Sequence, residues 1–121
     1  MKTSSLIIAC ALFAAASVSV RAECVSPKSP AAVPNGSTAT KQEMIDGMTV
    51  FKKYQADMNN YLACLDSEAA EQVKAAGDNA DQVKQINAML AKKHNAAVDE
   101  ETAHADKFNQ QIRAYKAKTK G

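Results

Sequence analysis

Large aromatic side chains are scarce in this sequence. It contains no tryptophan, and one of its three phenylalanines, Phe13, lies in an apolar run near the N-terminus. Aromatic side chains supply a large share of the apolar area that a protein core buries. We therefore expect a thin core, which must be covered either by another part of the chain or by a second copy of the protein.

An excess of basic residues is also absent from the part of the chain expected to fold. Lys2 and Arg21 account for two of the 15 basic residues, so the 13 that remain equal the 13 acidic residues. Proteins that bind nucleic acid or anionic lipid commonly use a basic surface. The sequence therefore predicts no nucleic-acid partner.

A hydrophobic run long enough to span a bilayer is missing. The longest apolar run, at 6–20, is shorter than the roughly 20 residues that a membrane helix needs. It follows Lys2 and leads into Val-Arg-Ala at 20–22, whose −3 and −1 residues suit a signal-peptidase site. We expect a signal peptide at 1–22, a periplasmic or secreted protein, and no stable membrane insertion after cleavage. An uncleaved anchor is the alternative.

Cysteine is rare, and the number that remains after cleavage is informative. Removal of the signal peptide takes away Cys10 and leaves Cys24 and Cys64. An even number of cysteines in an exported chain is typical of disulfide bonding. We expect a disulfide between Cys24 and Cys64, with two free thiols as the alternative.

Proline is confined to a short stretch that predicts an extended segment followed by a helix. All three prolines lie within 27–34, and Val-Pro-Asn-Gly at 33–36 is typical of a turn. Thr40 and Glu43 have the spacing of a capping box, in which each side chain accepts a hydrogen bond from the other residue's backbone. We expect an extended, Pro-rich segment at 23–39 and a helix after it.

Helical periodicity is what the sequence has in abundance. Apolar residues at steps of four and three predict a helix at about 40–76, and a second pattern predicts a helix at about 80–116. Gly77 suits the end of the first helix, and the next two residues suit the start of the second. The predicted fold is all-α, an antiparallel, coiled-coil-like hairpin of two helices at 40–121.

The second helix has a less regular seam than the first. Its inward-facing positions are predicted to be Ile86, Leu90, His94, Ala97, Glu101, Ala105, Phe108 and Ile112. His94 is therefore expected to be a hydrogen-bonded core residue and His104 a surface residue. In the first helix, Gly47 is expected to be a weak point that costs up to about 1 kcal/mol relative to alanine.

The Pro-rich segment is long enough to run back along the first helix. Its extended length exceeds the helical distance that it must span. We expect it to run until Cys24 meets Cys64, so that a disulfide staples it to the first helix. Val25, Val33 and the prolines would then cover the tyrosine side of that helix. A second copy of the chain, forming a four-helix dimer, is the other candidate cover.

The hairpin beyond Cys64 is out of reach of the Pro-rich segment. Apolar surface is therefore expected to collect near the Gly77 turn, and such patches are typical of interaction sites. We predict a partner-binding or self-associating surface made of Leu65, Val73, Val83, Ile86 and Leu90. The alternative is that neighbouring alanines let the two helices close tightly and leave little of this surface exposed.

Three stretches of the chain together carry a resemblance. They are CVSPKSPAAVPNGSTATKQEM, VFKKYQADMNNYLACL and HNAAVDEETAHADKFNQQIRAYKAK. In this outline the chain resembles a group of small exported proteins from proteobacteria, with a cysteine and spaced prolines, Tyr-x-x-Cys-Leu and a closing Phe-Asn-x-Gln. The resemblance implies export and a shared fold of two long helices, and it implies no active site.

Motifs that hold a metal or a cofactor are incomplete. Glu101 and His104 have the Glu-x-x-His spacing of di-iron bundles, but such sites need two of these units and two further glutamates. The sequence also has no Cys-x-x-Cys-His motif for haem attachment. We expect no metal and no other cofactor. A metal-binding bundle, assembled in an oligomer, is a less favoured alternative.

Motifs for catalysis are missing as well. The sequence has no Gly-x-Ser-x-Gly and no phosphate-binding loop. We therefore expect that the protein is not an enzyme. The predicted function is that of an exported structural or protein-interaction module. A holdase-like chaperone, or another kind of binding module, is the alternative.

Overall fold

The computed structural model describes residues 23–121 as two long helices preceded by an irregular segment. Helix α1 spans Lys41–Ala76 and helix α2 spans Ala80–Lys120. They pack as an antiparallel hairpin, and residues 23–40, here called the opening segment, lie against both helices. The predicted all-α hairpin is therefore confirmed. The predicted signal peptide at 1–22 lies outside the described residues.

Neither α1 nor α2 has an apolar stretch long enough to cross a membrane, and this holds for all the residues that the structure describes.

Helix α1 begins with the predicted capping box. The Thr40 hydroxyl accepts a hydrogen bond from the backbone N–H of Glu43 at 3.2 Å. In return, the Glu43 carboxylate accepts the backbone N–H of Thr40 at 2.6 Å. These bonds satisfy two donors that the first turn of a helix leaves free. Because they favour the charged carboxylate, chiefly through the Thr40 backbone N–H, they lower the pKa of Glu43 below its ordinary value.

The turn between the helices also follows its local sequence. Gly77, at the end of α1, has a φ of 56°, a conformation that glycine adopts without steric cost. The side chain of Asn79 then accepts the backbone N–H of Gln82 at 3.1 Å and caps α2. Helix α2 continues to Lys120, one turn beyond its predicted end.

The core lies in the half of the hairpin that the opening segment covers. Its central cluster consists of Phe51, Tyr54, Met58 and Ala97, with Tyr61, Leu62 and Ala105 packed around it. Met58 is completely buried, and Phe108 is 2 % exposed. The cluster is small, as the scarcity of aromatic residues predicts.

The structure corrects the predicted roles of the two histidines in α2. His104 is buried with 6 % of its surface exposed, whereas His94 is half-buried beside a carboxylate of α1. Steps of seven and four residues, from Ala97 to His104 and on to Phe108, keep one face of α2 towards α1. On that face the imidazole of His104 stacks on the ring of Phe51, with centroids 5.3 Å apart.

The disulfide between Cys24 and Cys64 is present, with the two Cα atoms 5.8 Å apart. The predicted pairing is therefore confirmed. Val25 is 81 % exposed, and the prediction that it covers α1 is wrong. Successive side chains of an extended chain point in opposite directions, so the residue after the helix-facing Cys24 faces solvent. Val33 is half-buried.

Gly36 brings the turn of the opening segment against the backbone of α2. Its N–H donates to the side-chain oxygen of Gln111 at 2.9 Å. A Cβ atom at Gly36 would lie 1.9 Å from the backbone oxygen of Gln111, so no larger residue fits without displacing the segment. The opening segment thus packs in the groove between the helices and does not lie along α1 alone.

Gly47 provides a second close contact for the opening segment. A Cβ atom at this position would lie 2.5 Å from Cγ of Pro34. The glycine that the sequence identifies as a weak point in α1 therefore allows the proline ring to pack directly on the helix. Its cost in helix propensity is offset by this packing.

Candidate functional site

The predicted interaction surface near the Gly77 turn is here called the distal surface, and it comprises Leu65, Val73, Val83, Ile86 and Leu90. Leu65 is buried at 2 % exposure, and the other four residues are half-buried. The disulfide holds the start of the opening segment at Cys64, and no residue of the segment lines the cavity among these residues. The assignment of these residues as an interaction surface stays a prediction.

A shallow cavity of about 30 Å³ lies in the part of the distal surface that contains Leu65 and Leu90. It is lined by Leu65, Glu68, Ala69, Gln72, Ile86, Met89, Leu90 and Lys93. Sequence reasoning missed Met89, which is 53 % exposed. The spacing of three residues from Ile86 to Met89 could have indicated it, because residues three apart share a helix face. The cavity therefore combines apolar side chains with polar ones that include a carboxylate and an ammonium group, those of Glu68 and Lys93.

A second apolar site lies at the opposite end of the hairpin, where α1 begins and α2 ends. This open-end groove has a volume of about 340 Å³ and is lined by Lys41, Met44, Ile45, Met48, Phe108, Ile112, Tyr115 and Lys116. Met44 and Phe108 are buried and form its floor, whereas Ile45 is 47 % exposed. No residue of the opening segment lines it, so it lies on the side of the hairpin that the segment leaves uncovered.

His104 and its neighbours form the most polar part of the interior. Nδ1 of His104 lies 3.2 Å from the Ser29 hydroxyl, and the ring centroid is 5.7 Å from that of Tyr54. The Tyr54 hydroxyl is buried and forms no well-aligned hydrogen bond within the described chain. Its burial, assisted by the charge of Glu100, raises the pKa of Tyr54.

The contact between Ser29 and His104 lacks the further groups of a catalytic site. A serine nucleophile needs a base that is itself oriented by a third group, together with donors for an oxyanion. Within residues 23–121, Ser29 is the only hydrogen-bond partner of the His104 imidazole, and the rings of Phe51 and Tyr54 pack beside it. The arrangement holds the opening segment in place.

The two residues of the Glu-x-x-His unit of α2 each contact another part of the chain, one on α1 and one on the opening segment. The carboxylate of Glu101 accepts a hydrogen bond from the side-chain amide of Gln55 at 3.0 Å. His104 faces Ser29 instead. Nowhere in the described part of the chain do three histidine, cysteine, aspartate or glutamate side chains come together as ligands for a metal ion.

Three comparisons with known proteins gave no match to this chain: no protein-family model, no curated protein and no solved structure matches it. What the protein does is therefore inferred from its own surfaces, among which the distal surface and the open-end groove are two apolar candidates.

Proposed function

We propose that the protein is an exported protein-interaction module that acts by binding, without catalysis. The observation that carries this proposal is the limited reach of the opening segment. The disulfide holds the first residues of the segment at Cys64. The distal surface therefore keeps four half-buried apolar residues and the exposed Met89. Apolar surface that the chain itself does not cover is typical of a site for another protein.

Export to the periplasm or the outside of the cell is supported by the covalent structure. The pair Cys24 and Cys64 is oxidised, and structural disulfides persist in oxidising compartments. The disulfide fixes one end of the opening segment, which covers the hairpin within residues 23–121. A reducing compartment would leave that element held by side-chain and backbone contacts alone.

A second copy of the chain is the partner that fits the distal surface most simply. Two hairpins joined through these faces would form a four-helix arrangement, which buries the apolar stripe of each helix. The rim of the surface includes Glu68 and Lys93, and a two-fold axis can bring such opposite charges together. The thin core of one hairpin would thereby gain a second layer.

Lysine substitutions on the distal surface test the proposal. Val73→Lys and Leu90→Lys each place a charge on the distal surface. Ala75→Lys and Gln85→Lys are matched controls at exposed positions on the same two helices. Multi-angle light scattering should show an oligomer for the parent and the controls, and a monomer for the first two variants. A parent that is monomeric at all concentrations, with variants that lose only stability, would show that these residues are core.

A holdase-like chaperone is the second candidate, and the open-end groove favours it. Two separated apolar sites on a narrow body could hold an unfolded chain at two points, which raises the effective affinity for a long ligand. Suppression of light scattering from an aggregating substrate tests this function. A holdase should suppress aggregation when it is in molar excess over the substrate, and Leu90→Lys should weaken that suppression. A dedicated interaction module should leave aggregation unchanged.

A further inference from the structure

The size of the open-end groove suits a small molecule. Its volume of about 340 Å³ lies within the range of roughly 300–1,000 Å³ typical of small-molecule sites. From Lys41 to Met48 the groove follows α1 for about 10 Å. A stable protein interface needs a larger contact, about 1,000 Å² in total. The groove is therefore better matched in size to one narrow apolar chain.

The charges of the groove are all of one sign and all at one end. Lys41 lies in the first turn of α1 and Lys116 near the end of α2, so the antiparallel pairing places both at the open end of the hairpin. Neither lysine forms an ion pair with another described residue. The residues that line the groove within the described chain include no acidic side chain. The apolar floor of the groove thus ends beside two ammonium groups, those of Lys41 and Lys116, that have no ion-pair partner among the described residues.

Tyr115, which lines the groove beside these lysines, is held in place by contacts outside the groove. Nζ of Lys118 lies 4.9 Å from the ring centroid of Tyr115 and also donates a hydrogen bond to the backbone oxygen of Ala39. A cation over an aromatic face restrains the ring. Tyr115 therefore lines the groove with its position fixed by the opening segment, so the site needs little rearrangement to accept a ligand.

The geometry points to the open-end groove as a binding site for a free, single-chain anionic amphiphile of the fatty-acid class. Its carboxylate would pair with Lys41 and Lys116, and its alkyl chain would lie over Met44 and Met48 towards Phe108. Charge complementarity selects the headgroup, since the groove offers two cations and no anion. The balanced charge of residues 23–121 does not oppose this, because one carboxylate needs only a local pair of lysines.

Methionine methyl groups allow the site to be observed directly. In the purified, oxidised protein with ¹³C-labelled methionine methyl groups, decanoate is titrated below its micellar concentration and followed by NMR. The signals of Met44 and Met48 should shift and reach saturation. Met58, which is completely buried, and Met89, which is exposed on the distal surface, should not move and serve as internal controls.

Two comparisons test the role of the charges. Decyltrimethylammonium has the same chain with a positive headgroup and should bind at least tenfold more weakly than decanoate. The double variant Lys41→Gln/Lys116→Gln should weaken decanoate binding about tenfold, whereas Lys84→Gln/Lys92→Gln, which removes the same charge from α2 outside the groove, should not. Circular dichroism establishes that both variants are folded.

Several results would overturn the assignment. Equal shifts of Met89 and Met44 would show non-specific adsorption to apolar surface, and equal binding of the cationic amphiphile would show that the lysines do not select the ligand. Shifts of Met44 and Met48 with protein concentration alone would assign the groove to a second copy, and shifts with an acidic amphipathic peptide but not with decanoate would assign it to a protein. The proposed interaction function is tested separately, by the light scattering of Val73→Lys and Leu90→Lys, so failure of one proposal can be told from failure of the other.

Discussion

The hydroxyl of Ser29 lies 3.2 Å from Nδ1 of His104 and joins the opening segment to α2 across 75 positions of the sequence. The imidazole is stacked on Phe51 and tilted against Tyr54. One hydrogen bond therefore fixes the segment at the point where the core is most aromatic. His104 is therefore a packing residue of the core that also makes a polar contact with the opening segment.

Substitution of the two histidines should have very different effects. We expect His104→Ala to lower the free energy of unfolding by about 2–3 kcal/mol, because it leaves a cavity beside Phe51 and removes the partner of Ser29. His94→Ala removes an exposed pair with Asp66 and should change it by less than about 0.5 kcal/mol. Urea unfolding of both variants measures the difference, and equal losses would contradict the burial of His104.

Reduction of the disulfide should destabilise the protein strongly. Cys24 and Cys64 are 40 positions apart, and closing a loop of that length contributes roughly 4 kcal/mol by the chain-entropy estimate. Thermal unfolding with and without dithiothreitol should show a lower melting temperature for the reduced protein. The double variant Cys24→Ser/Cys64→Ser should melt at that lower temperature and should not respond to the reductant. Unchanged melting of the parent on reduction would rule out a structural role.

Alanine at Gly47 should destabilise the protein, although alanine is the better helix former. Helix propensity alone favours the substitution by up to about 1 kcal/mol. The new Cβ, however, would lie 2.5 Å from the rigid ring of Pro34, so the opening segment must move away from α1. Chemical unfolding should show a net loss, while the control Thr49→Ala, an exposed position in the same helix, should be neutral or slightly stabilising. A net gain for Gly47→Ala would show that the segment can shift freely.

The capping box should make stability depend on pH. The pKa of Glu43 is lowered in the folded state, first by the Thr40 backbone N–H and then by the Thr40 hydroxyl. The carboxylate therefore contributes stability above its unfolded pKa of about 4.3, and this contribution is lost as the pH falls through the folded value. Glu43→Gln keeps an acceptor but does not titrate, so parent and variant should differ at neutral pH and converge in acid.

The opposite pH dependence, with a difference that grows as the pH falls, would show that folding raises the pKa of Glu43. Thr40→Ala is the companion variant, since it removes the hydroxyl that caps the first turn. It should cost about 1 kcal/mol at neutral pH. Urea unfolding across the acid range measures both variants under the same conditions.

The features predicted correctly from the sequence are mainly those whose contacts lie within a few residues of one another along the chain. Thr40 with Glu43, Gly77 and Asn79 each satisfy backbone groups of their own helix end, so their roles follow from local chemistry. The disulfide was predictable because two cysteines remain in the described chain and the segment is long enough to bring them together. These features needed no knowledge of how the helices are rotated.

The rotation of α2 was not predictable in the same way. The helix is rich in alanine, so several faces have similar apolar content, and the choice between His94 and His104 depends on what packs above them. His104 is buried by Phe51 and Tyr54 of α1 together with Ser29, which lies 75 positions away. The open-end groove was missed for the same reason. Met48 and Ile112 match the spacing of a seam, but both remain accessible because no part of the described chain covers them.

The contacts of the opening segment also set an order of events. It is the first described part of the chain to be synthesised, yet its partners on α2 lie 75 to 79 positions later. Until the last turns of α2 have formed, the segment has no complete surface on which to settle. We expect it to dock after the hairpin has closed, so that substitutions such as Gly36→Ala speed unfolding more than they slow folding. During that interval the surface that the segment later covers is exposed, so the closed hairpin is more prone to associate with other chains than the finished protein is.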